Sequence, residues 1–172
     1  MSDSARTTAL VLTFARRGEE EAIRQAMAAL HETAPGADVV AIGTPVSAPI
    51  LENLGVDDII IYGNGRGARS VVREARGRRP AAAAAIVYWG PGFCAHLKLE
   101  LLALLCRPPR LLRLAPEAPV SAIGRPRLAL SVLGKILAAG ALALAGASLC
   151  GAAFICLRLR QTLAGGHRAP RA

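Results

Sequence analysis

The chain has 172 residues, room for one domain of the usual ~100–200 residues and one further segment, which excludes a multidomain machine. Its hydrophobic fraction is 53% and its net charge +9, a balance that suits anionic headgroups or nucleic acid. The charge is uneven: residues 1–127 hold sixteen Lys/Arg and all twelve acids, whereas residues 128–172 hold five Lys/Arg and no acid.

The N-terminal stretch MSDSARTTALVLTF lacks the charged, apolar and small-residue order of a secretory leader, and Arg16–Arg17 follow it at once. The first domain is therefore expected to stay in the cytoplasm. Thr8–Phe14 is a continuous apolar and β-branched run, as expected of a strand covered on both faces. In Glu19–Glu32, the residues Ile23, Ala26, Met27 and Leu30 make the stripe of an amphipathic helix, with acids at its start and Pro35–Gly36 to stop it. Asp38–Gly43 is the second strand, Pro49–Leu54 a short helix and Asp58–Tyr62 the third strand. A helix over Arg69–Arg76, a strand over Ala83–Trp89, a helix over His96–Cys106 closed by Pro108–Pro109, and a strand over Arg110–Leu114 complete the alternation. Strands and helices alternating at this spacing predict βαβ units. The expected fold is α/β, a single doubly wound, Rossmann-like parallel sheet of about five strands in the order 3-2-1-4-5. It occupies residues 1–114.

Residues 115–135 read as a Pro-rich linker with a basic flank, residues 136–157 as a transmembrane helix, with a monotopic or re-entrant segment as the alternative, and residues 158–172 as a basic tail. Ile136–Leu157 carries no charged side chain over twenty-two residues, and ~20 suffice to cross a bilayer. Gly140, Ala143, Ala147 and Gly151 set small residues along it, which suits close helix pairing and hence self-association, although an alanine-rich span matches that pattern by chance as well. Lys135, Arg158 and Arg160 flank it as headgroup contacts.

Three places could carry function. Five of the six aromatics lie at or just past the carboxyl ends of the expected strands, where open α/β sheets bind ligands. Tyr88, Trp89, Gly90 and Gly92 would line such a crevice, together with Arg16 and Arg17 after the first strand; capping the core is the alternative role. Gly63, Gly65 and Arg66, in the GNGRG run, could meet a phosphate through backbone N–H groups, although the run sits after the third strand and lacks the spacing of a dinucleotide fingerprint, so a turn is the simpler reading. Arg66, Arg69, Arg73 and Arg76 would line one helix face, either simply solvated or resting on an anionic leaflet. Nucleic acid is not expected, since no stacking platform accompanies the stripe. The four cysteines have no CxxC or Cys/His ligand spacing, and His31, His96 and His167 have no nucleophile or acid at a telling distance, so neither a metal nor a cofactor is expected.

The LVLTF strand, the ETAPGADVVAIG and VDDIIIYG passages and HLKLELLALLCRPPRLLRL together resemble the N-terminal, acceptor-side half of a GT-B glycosyltransferase, most nearly of the heptosyltransferase-like type. The resemblance implies work on bacterial cell-envelope polysaccharide, on or beside a lipid-linked sugar at the inner membrane. In that family a second Rossmann domain binds the nucleotide sugar. Here the apolar run follows instead, so the resemblance implies a partner that supplies the donor side. A non-enzymatic module, tethered to the membrane and docking a partner, is the competing expectation.

Overall fold

A computed structural model of the protein describes residues 7–14, 18–78, 80–88, 93–115 and 119–165. The elements run β1 (Thr8–Leu12), α1 (Glu20–Thr33), β2 (Asp38–Gly43), α2 (Ala48–Asn53), β3 (Asp58–Ile61), α3 (Ala68–Arg78), β4 (Ala81–Val87), α4 (Phe93–Cys106), β5 (Arg110–Leu114), β6 (Ser121–Ala122) and α5 (Arg125–Gly165). The strands form one sheet in the order β3-β2-β1-β4-β5-β6. The first five are parallel, and the expected order 3-2-1-4-5 is the observed one.

The sheet itself corrects the expectation of a wholly parallel, five-stranded one. β6 adds a sixth strand antiparallel to β5, pairing Ala122 with Leu112 and Ser121 with Arg113. Its two residues leave no hydrophobic alternation to recognise, and it forms because the chain doubles back along an open edge whose backbone groups need partners.

Side chains alternate through the sheet into two cores. Ala9, Val11, Val39, Ala41, Ala83 and Ala85 meet α1 and α2 through Ile23, Ala26, Leu30, Ile50 and Leu51. Leu10, Leu12, Val40, Ile42, Ala84 and Ile86 meet α3 and α4 through Val71, Val72, Ala75, Leu99, Leu102 and Ala103. This period of two explains the run of five alanines that opens β4. Alanine is a poor strand former in isolation, yet a central strand with helices against both faces has little room for side chains. Small residues there let the helices approach.

The chain divides into two compact units, Met1–Val132 and Leu133–Ala172. The stretch read as a linker carries β6 and the first turns of α5. Pro126, the second residue of α5, is tolerated because the first helical turn has no N–H bond to lose. Within the first unit, Leu128 and Val132 are buried, and Leu128 joins the core shared by α3 and α4. The second unit continues as helix. α5 encloses all of residues 136–157, and Arg125–Leu144 within it is long and apolar enough to cross a membrane, with only 11% of its apolar window buried.

Candidate functional site

The carboxyl edge of the sheet is built from tight local geometry. At the end of β2, Gly43 lies so close to α2 that a Cβ there would stand 2.5 Å from Ser47 Oγ and 2.7 Å from Leu51 Cδ1. Ser47 is fully buried; its Oγ accepts from the Thr44 backbone N–H at 2.8 Å and donates to the Thr44 carbonyl at 3.0 Å. That reciprocal pair begins α2 directly over the strand end. Beside it, Phe14 beyond β1 and Tyr62 beyond β3 stack with ring centroids 5.4 Å apart and planes at 25°.

Gly63–Arg66 is a closed turn. The Gly63 N–H donates to the Arg66 carbonyl (3.2 Å) and the Arg66 N–H to the Gly63 carbonyl (2.9 Å), while Asn64 and Gly65 at its tip have φ of 50° and 82°. Positive φ at both central positions is the mirror-image turn that Asn-Gly favours. Two of the N–H groups that could have faced a phosphate are thus used inside the turn. The Arg66 guanidinium pairs with Glu74 of α3.

Tyr88, next after β4, is buried at 4% exposure, and its ring belongs to the core shared by α3 and α4. Its N–H donates to the Leu114 carbonyl at 2.9 Å, and its hydroxyl donates to Glu100 Oε1 of α4 at 2.8 Å. His96 meets the ring edge-on at 4.8 Å between centroids, and the Arg113 guanidinium of β5 lies over it at 4.9 Å. Burial first, and the Glu100 carboxylate second, push the phenol well above its ordinary range. At neutral pH it is a hydrogen-bond donor and not a base.

Glu100 and Arg113 are the residues that sequence reasoning passed over. Glu100 sits among Leu99, Leu101 and Leu102, and an acid inside an apolar helical stripe was the available signal. Arg113 alternates with buried Leu112 and Leu114, as an outward residue of an ordinary strand would. Arg16, Arg17, Trp89, Gly90 and Gly92, all expected in the crevice, lie outside the described residues.

The arginine stripe divides in two. Arg66 is paired with Glu74, as is Arg78 outside the stripe (2.9 Å), which also meets Asp58. Arg76 donates to the Leu105 carbonyl near the C-terminus of α4, where a cation meets the negative end of the helix dipole. Arg69 and Arg73 are exposed and have no partner among the described residues. They border an open groove of about 440 Å³ between α3 and α4, lined by Arg69, Val72, Arg73, Arg76, Gly77 and Leu105. Lys135, Arg158 and Arg160 all fall on α5; Lys135 is half-buried.

Among the described residues, no group of three or more His, Cys, Asp or Glu side chains could hold a metal ion. Cys106 is a buried thiol at the end of α4, pushed up to about 11 by burial, against a smaller downward pull from Arg76. It is a core residue rather than a nucleophile. No family model, curated protein or solved structure matches this chain.

Proposed function

We propose that the protein is a membrane-tethered, Rossmann-like α/β domain that works on or beside a lipid-linked sugar at the cytoplasmic face of the inner membrane. The observation that carries this reading is the continuity of α5, which begins at Arg125, buries Leu128 in the core of the sheet domain and runs on through a charge-free apolar stretch. Supporting the glycosyltransferase-like part is the 3-2-1-4-5 order of the parallel strands, the order of a doubly wound half-domain that binds at its carboxyl edge. On this reading the nucleotide-sugar site belongs to a partner, and this chain holds the lipid-linked side.

A second reading has its own observation. At the described carboxyl edge, the Tyr88 hydroxyl and the Gly63 and Arg66 amides are all engaged in internal bonds, which suits a non-enzymatic tethered scaffold. The two separate in one experiment. Full-length protein in detergent is titrated with nucleotide sugars and with polyprenyl-diphosphate sugars, and Trp89→Ala is compared. Saturable lipid-sugar binding that Trp89→Ala weakens supports the first reading; no binding to either ligand class leaves the scaffold.

A further inference from the structure

We propose that the groove between α3 and α4 is a docking surface for anionic phospholipid headgroups. Two arginines one helical turn apart, Arg69 and Arg73, project unpaired from α3 among the described residues. Leu105 of α4, a large apolar side chain 43% exposed, lines the same groove as these arginines. Val72 and Gly77 also line it, and Arg76 is tied to the Leu105 carbonyl. Arginine forks match phosphate oxygens, and an apolar side chain between them can enter the headgroup boundary.

Two further observations select this surface and this occupant. Arg66 and Arg78, two other cations of α3 and its leading turn, are already balanced by Glu74 and Asp58, so the arginines of α3 left without an acid are those at the groove. In addition, α5 as a tether makes headgroup contact an intramolecular event at high effective concentration, so a surface too weak to hold a soluble protein still engages. An acidic protein segment would meet the same cations but gains no such advantage. The inference rests on α5 lying in a bilayer.

The test uses full-length protein reconstituted into nanodiscs of pure phosphatidylcholine or of phosphatidylcholine with phosphatidylglycerol, read by amide hydrogen exchange over α3 and the end of α4. Exchange over these segments should slow only with phosphatidylglycerol, and the difference should vanish in ~1 M salt, where the Debye length is ~3 Å. Arg69→Gln/Arg73→Gln should weaken the contact up to about 30-fold, from roughly fivefold per surface arginine. Neither side chain holds the fold together, so an unchanged thermal melt in detergent confirms the variant is intact. Equal exchange in both lipid compositions, or protection that survives the double substitution, overturns the proposal. Protection produced instead by an acidic peptide overturns it in favour of a protein partner. Failure of the chain to enter nanodiscs at all would instead remove the tether on which the inference rests.

Discussion

Gly43 is where a single hydrogen decides whether α2 can seat on the sheet. Gly43→Ala drives a methyl group into Ser47 Oγ and the buried Leu51, and chemical denaturation should show a loss of about 1–3 kcal/mol, the usual cost of overpacking a core. Tyr88→Phe removes a hydrogen bond from the buried Glu100 carboxylate and should cost about 1–3 kcal/mol by the same measurement. Cys106 makes stability pH-dependent. Its thiol is raised in the fold from 9.0 to about 11, so its contribution is fully present below pH 9.0 and is lost as the pH climbs through the folded value. The loss is on the order of 2–3 kcal/mol. Tyr88, raised in the same direction, adds a decline that begins nearer its own ordinary value of 10.0. Cys106→Ala should flatten the early part of this alkaline decline; a curve identical to wild type would contradict the assignment. Little of this was legible in sequence. The Gly43 contact depends on how closely α2 lies over the strand, and the Tyr88–Glu100 bond joins residues from successive elements whose facing sides no spacing rule pairs.

At the scale of elements, hydrophobic periodicity was a good guide because the sheet's two cores impose it. β1, β2 and β3 carry alternate side chains to opposite faces, and α1 buries the stripe its spacing predicts. It failed where other forces set the structure. β6 exists because an open edge needed hydrogen bonds, and α5 begins eleven residues before Ile136 because Leu128 and Val132 find a core. The junction is fastened by Arg125, whose guanidinium donates to the carbonyls of Pro108 (2.9 Å) and Arg107. Arg107 has a φ of 56°, the left-handed conformation that ends α4, and Arg125 satisfies the carbonyls this turn leaves outward. Arg125→Ala should therefore cost about 1.5–3 kcal/mol, the range for a hydrogen bond to a charged group. Leu128→Ala should cost about 2–5 kcal/mol, as for other large-to-small core changes. In both variants hydrogen exchange should accelerate first at β6 and the start of α5, while α1 keeps its protection.

At the scale of the whole molecule, the chain is an α/β unit continued into a helix long and apolar enough to cross a membrane. The absence of charge from Ile136 to Leu157 was fully legible in sequence, since it depends on composition alone. What the domain does was not legible in the same way, because the carboxyl edge is made by turns whose function depends on their bond partners. The claim on which the rest depends is that the full-length protein is held in a bilayer by α5. Membranes from cells expressing it should retain it through washing with alkaline carbonate and release it only to detergent. Replacing Leu142 and Leu144, exposed at 74% and 73%, with lysine should free a measurable share, because each charge in the apolar core costs about 2.5–3.5 kcal/mol. Recovery of the unaltered full-length protein in the carbonate supernatant would contradict the account.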